Sequence, residues 1–195
     1  MKLAFVATLA ALALSADAGA QAPNGQQLDQ AIRARMQAQQ NDMKDTQVQE
    51  IRRALQETLQ QAKAAHDRGD YAAARRLWLP AADSGVAAAQ FGLGMMYEQD
   101  IGAPRDDGQA VKWLGKAADL EFGPAEFGLG MVFLNGRGVA RDDVRGAKLI
   151  RRAAVHGVAQ AKFNLAVLYE TGRGVAKDPA AAAEWYHKAS VAGIK

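Results

Sequence analysis

Residues 158–193 read VAQAKFNLAVLYETGRGVAKDPAAAAEWYHKASVAG, two helices joined by a glycine loop. Ala161, Leu165 and Tyr169 recur at every fourth position and make one helical stripe. Gly172-Arg173-Gly174 then closes the helix, because glycine tolerates the positive φ of a helix C-terminus. Asp178 followed by Pro179 opens a second helix. Aspartate accepts backbone N–H bonds as an N-cap, and proline is favoured at the first helical position. Ala182, Trp185 and Ala189 give this helix an apolar face at spacings of three and four, with a large Trp set among small Ala so that neighbouring helices interlock.

The same pattern recurs without gaps at a period of 36 residues, in units starting at Val86, Phe122 and Val158. Ala89, Ala125 and Ala161 share a column, as do Leu93, Leu129 and Leu165, and Tyr97, Phe133 and Tyr169. The loop column holds Gly102, Gly138 and Gly174, the cap column Asp106, Asp142 and Asp178, and the second helix Trp113, Leu149 and Trp185. Asp106 with Gln109 has the spacing of a capping box. Each unit therefore reads as helix, loop, helix.

These residues spell A-x-x-x-L-G-x-x-Y-x-x-G-x-G-V-x-x-D-x-x-x-A-x-x-W-x-x-x-A-A, which resembles the Sel1-like repeat, a relative of the tetratricopeptide repeat. The third unit matches at Ala161, Leu165, Tyr169, Gly172, Gly174, Val175, Asp178, Ala182, Trp185 and Ala189. The second departs at Phe133, Gly146 and Leu149, and the first at Asp100 and Ala103. The resemblance implies an all-α fold, an α-solenoid wound as a right-handed superhelix of helix-turn-helix units. It divides the repeat region into units 86–121, 122–157 and 158–193.

Residues 46–85 read as a degenerate leading pair. Thr46 and Gln49 make a capping-box start, and Ile51, Leu55, Leu59 and Ala62 form one stripe. Arg68-Gly69-Asp70-Tyr71 is a tight turn, and Leu77, Ala81 and Ala82 fall in the columns of Trp113, Ala117 and Ala118. Before them lies a Gln-rich segment, 23–45, with a helix expected over about 26–40. Three roles fit it: a cap on the solenoid, a pairing helix for another chain, or a partly disordered lead.

Residues 1–22 read as a cleavable signal peptide. Lys2 precedes an apolar run from Leu3 to Leu14, and Ala18-Gly19-Ala20 and Ala20-Gln21-Ala22 both fit small-x-small cleavage. The run falls short of the ~20 residues a bilayer span needs. Cleavage would place the protein in the periplasm or outside the cell, with no transmembrane span in the mature chain.

The chain has no Cys, which excludes disulfides, thiolate metal sites and cysteine nucleophiles. Net charge is +3 with both signs interspersed, and no Lys/Arg run exceeds two residues, so no nucleic-acid partner is expected. His66, His156 and His187 sit in unrelated columns and offer no zinc spacing. Asp106-Asp107 and Asp142-Asp143 are paired carboxylates, but at helix starts they serve as caps. Gly136-Arg137-Gly138 and Gly172-Arg173-Gly174 lack the strand and the Lys-Ser/Thr partner of a phosphate loop. No catalytic residue, cofactor or metal ligand is expected.

What remains is recognition. In superhelical arrays the first helices line the inner wall. Phe91, Met95, Phe127, Met131 and Phe163 are the candidate partner-binding side chains, methionine being adaptable to varied shapes. The resemblance implies a non-catalytic protein-protein scaffold of the bacterial envelope. A second reading is a cell-wall enzyme or accessory binding β-lactam or peptidoglycan; the secreted relatives of that kind are Cys-rich, and this chain is not. Only Ile194 and Lys195 follow the last unit, so the C-terminal edge is a candidate contact for a second copy.

Overall fold

The structure, a computed structural model, describes residues 25–194. The expected leader over 1–22 and both cleavage points lie outside the described residues. Eight helices occur among the described residues: α1 (Gly25–Asp67), α2 (Tyr71–Asp83), α3 (Ala87–Gln99), α4 (Asp107–Asp119), α5 (Gly123–Asn135), α6 (Asp143–Val155), α7 (Ala159–Thr171) and α8 (Pro179–Val191). The chain divides into two compact units between Arg53 and Ala54.

The first unit holds the leading part of α1. Here the structure corrects the sequence reading. No helix starts at Thr46, and the helix expected over 26–40 does not end there. Thr46 lies inside α1 and its hydroxyl donates to the Asp42 carbonyl at 2.8 Å. The reason is local: from Gln26 to Asp67 the sequence has no Gly or Pro, and Gln, Ala, Arg, Lys and Met are good helix formers. A capping box stops nothing unless a breaker precedes it. The side chains of Met36, Met43 and Ile51 are exposed on this unit.

The second unit is a run of helix pairs. The second helices α2, α4, α6 and α8 all begin on an aspartate cap. Asp70, Asp106, Asp142 and Asp178 accept the backbone N–H three residues on, at 3.1, 3.0, 2.9 and 2.9 Å. The first helices α3, α5 and α7 end on left-handed residues: Asp100, Gly136 and Gly172.

The core follows the repeat. One cluster gathers Ala62 and Ala65 of α1 with Trp78, Leu93 and Met96. The next joins Leu114, Leu129 and Val132, and the third Leu134, Ile150 and Leu165. Gly94 and Gly130 leave room for Leu114 and Ile150, whose side chains sit where a Cβ would be. In the leading pair Leu77 packs against the core in the column of Trp113, and Trp78 is buried in the next column, that of Leu114 and Ile150.

Candidate functional site

The loops come first, because they fix how successive pairs stack. Gly138 lies so close to α4 that a Cβ would fall on the Cβ of Asp107. Gly174, one period later, would put a Cβ on the Asp143 carbonyl oxygen. The arginine between the glycines reaches back one unit. Arg137 pairs with Glu98 at 3.2 Å. Arg173 bonds the Asp143 carboxylate at 2.9–3.0 Å and also donates to the Leu134 carbonyl. Arg141 holds the same carboxylate at 2.7 Å. These two guanidiniums hold the Asp143 carboxyl down at about 2. The Arg-Gly loops are thus internal clamps, which accounts for their glycines and arginines without a phosphate.

A second cluster escaped the sequence reading. Glu126 is fully buried at the start of α5. Its Oε2 lies 2.6 Å from His156 Nδ1, and its Oε1 lies 2.7 Å from Arg152 Nη2 in an ion pair outside hydrogen-bonding geometry. Arg152 also donates to the Ala118 carbonyl at 3.2 Å. One carboxylate therefore ties the first turn of α5 to the C-terminal end of α6, and Arg152 carries the link on to α4. The column of Glu126 holds Gln90 and Lys162 elsewhere, so no repeat signal marks it.

The first helices carry the candidate binding face. Phe91, Met95, Phe127, Met131 and Phe163 are all half-buried. Phe91 and Met95 meet in a groove of about 570 Å³ that Leu59, Trp78 and Phe122 also line, together with the polar Lys63, His66, Asp67 and Gln99. Phe91 stands 5.7 Å from Phe122, centroid to centroid. Phe127 and Met131 pack on the third core cluster, and Phe163 stacks edge-on with Tyr186 at 5.4 Å. The structure thus gathers two of the five into one groove and leaves three along the following helices. Five columns make up the face: Ala88, Pro124 and Gln160; Phe91, Phe127 and Phe163; Gly92, Gly128 and Asn164; Met95, Met131 and Val167; Gln99, Asn135 and Thr171. None of these residues is charged. Among the described residues no three potential ligands gather for a metal, and no helix is long and apolar enough to cross a membrane.

The profile of the Sel1 repeat matches residues 65–86, 87–122, 123–157 and 159–193, well over half of the chain. The chain belongs to the Sel1 repeat family. Proteins of this family generally mediate protein-protein interaction and are typically non-catalytic scaffolds. The chain is similar to a Sel1 repeat protein from Oxalobacter formigenes, with 35% identity and a TM-score of 0.59, covering 63% of this chain and 49% of that one. It is also similar to c5321, a protective antigen of uropathogenic Escherichia coli with an SLR fold: 31% identity, TM-score 0.67, 71% and 31% coverage. Cysteine-rich protein B of Helicobacter pylori shares the fold at 20% identity and a TM-score of 0.53, over 65% of this chain and 90% of that one. The chain spans 49% and 31% of the lengths of the first two. No curated protein sequence matches it.

Proposed function

We propose that this Sel1 repeat chain is a non-catalytic scaffold of the bacterial cell envelope that binds a partner protein along its first helices. The observation that carries the reading is the uncharged face built from Phe91, Met95, Phe127, Met131 and Phe163, with the apolar groove at its leading end. Apolar side chains are cheap to desolvate, and half-buried Phe and Met supply apolar area that a partner can cover. Gln99, Asn135 and Thr171 supply hydrogen-bonding groups along one edge. The ligand this face fits is a peptide segment whose apolar side chains enter the groove while its backbone meets the amides.

The envelope assignment rests on the leader-like residues 1–22. N-terminal sequencing of protein recovered from the periplasm should begin near Gln21 or Pro23. For binding, the double variant Met95→Glu, Met131→Glu should lose the partner cross-linked to the parent chain in envelope extract, while keeping its helical circular dichroism. Retention of the partner by that variant would sink the assignment of this face.

A further inference from the structure

We infer that the groove at the leading end of the first-helix face takes one aromatic side chain, the anchor of a partner's peptide segment. This selectivity rests on the first-helix face being the binding face, and it names what the groove admits. Four rings line the groove: His66 of α1, Trp78 of α2, Phe91 of α3 and Phe122 just before α5. They stand as two tilted pairs. His66 and Trp78 are 5.6 Å apart between ring centres at 44°, and Phe91 and Phe122 are 5.7 Å apart at 57°. The Met95 side chain lines the same groove.

Two of these rings exceed what the repeat requires. The period asks only for an apolar side chain in the column of Trp78, where the next two units carry Leu114 and Ile150. In the column of Phe122 the units on either side carry Val86 and Val158. The backbone is fitted to the indole as well. A Cβ on Gly92 would stand 2.9 Å from the Trp78 ring, whereas one on Gly128, a period later, would meet Leu114 at an ordinary 3.6 Å. Glycine at position 92 therefore lets the indole lie against α3.

The chemistry of the lining selects the occupant. Rings attract a further ring edge to face, beyond the gain from buried area, and a methionine sulfur adds a favourable contact at a ring edge. An aliphatic side chain or a lipid tail gains the area alone. The charges of the lining are matched: Lys63 Nζ lies 2.5 Å from Asp67 Oδ2, so neither sign is favoured in a ligand. A nucleobase would bring a phosphate, and Lys63 is already paired. Gln60 and Gln99 bring amides that pair with an indole N–H or a phenol. A peptide with a Trp, Tyr or Phe anchor is thus the occupant this lining favours.

Random displayed peptides selected on the full chain test this. Those that bind here are identified by their loss in Met95→Glu, Met131→Glu, and they should share a Trp, Tyr or Phe at one fixed position. In a synthetic peptide of that sequence, Leu at the anchor position should weaken binding to the parent chain about tenfold, two ring contacts combined. The same change should cost less than about twofold in the variant Trp78→Leu, Phe122→Val, which carries the residues that the repeat uses in those columns elsewhere. If that variant fails to fold, the comparison of the two peptides on the parent chain still reads the preference. Peptides lost in Met95→Glu, Met131→Glu that carry aliphatic anchors as often as rings, or that bind equally well with Leu, would overturn the inference and leave the first-helix reading standing. Peptides that are all indifferent to Met95→Glu, Met131→Glu would overturn both. Binding of phosphatidylglycerol vesicles with no peptide recovered would assign the groove to lipid and overturn the inference too.

Discussion

Glu121 sits at φ 58°, in the left-handed region where the equivalent turns carry Gly85, Gly157 and Gly193. A non-glycine residue there costs ~1–2 kcal/mol, partly offset by the entropy glycine loses on folding. Glu121→Gly should therefore stabilise by about 0.5–1 kcal/mol and raise the melting temperature by about 1–3 °C in a calorimetric scan. Glu126 predicts the opposite. Removing its buried carboxylate in Glu126→Ala leaves Arg152 and His156 without their anchor, and denaturant unfolding should show a loss of about 2–3 kcal/mol. Asp143 adds a pH signature. Its carboxyl falls from an ordinary 3.8 to about 2, first through Arg141 and then Arg173. A depressed acid stabilises the fold above its unfolded value and stops doing so as pH drops through the folded one. The stability gap between the parent and Asp143→Asn should thus be full above pH 4 and close between about 4 and 2, as followed by melting temperature. Little of this was legible beforehand. The aspartate caps were, because a cap acts within three residues. The partners of Glu126 lie 26 and 30 residues away and appear only once α5 and α6 are packed.

Among the elements, the repeat columns made α2 to α8 readable, since each helix is bounded by its own glycine, aspartate or proline. Helix α1 was misread in its leading part for want of such punctuation: the Thr46 signal lies in an unbroken run of helix formers. The two glycines of the α5–α6 and α7–α8 loops were legible as a pair, but their different tasks were not. Gly172 caps a helix, and a Cβ there would stand 3.2 Å from that of Lys177. Gly174 presses on the Asp143 carbonyl of the preceding unit and leaves a Cβ no room. Both have positive φ, so both alanine variants are strained. Gly174→Ala should nonetheless be the more damaging, by about 1–2 kcal/mol in paired denaturant titrations, because it also pushes two units apart. Equal losses would mean that the stacking contact carries no weight.

For the molecule as a whole, a period of 36 residues specifies a scaffold, and the positions free of that duty specify recognition. On the first helices those positions include Phe91, Met95, Phe127, Met131 and Phe163. The sequence displayed the aromatic and methionine columns of the first face. It did not display the groove, which depends on Trp78 and Leu59 from the leading pair. The proposed role of the first-helix face is to bind a partner protein. Site-specific photo-crosslinking in the living cell tests it most directly, with the photoreactive residue at Phe127 and, as control, at exposed Ala183 of α8. The account predicts one discrete protein adduct from Phe127 and none from Ala183. No adduct from Phe127, or the same adduct from both positions, would contradict it.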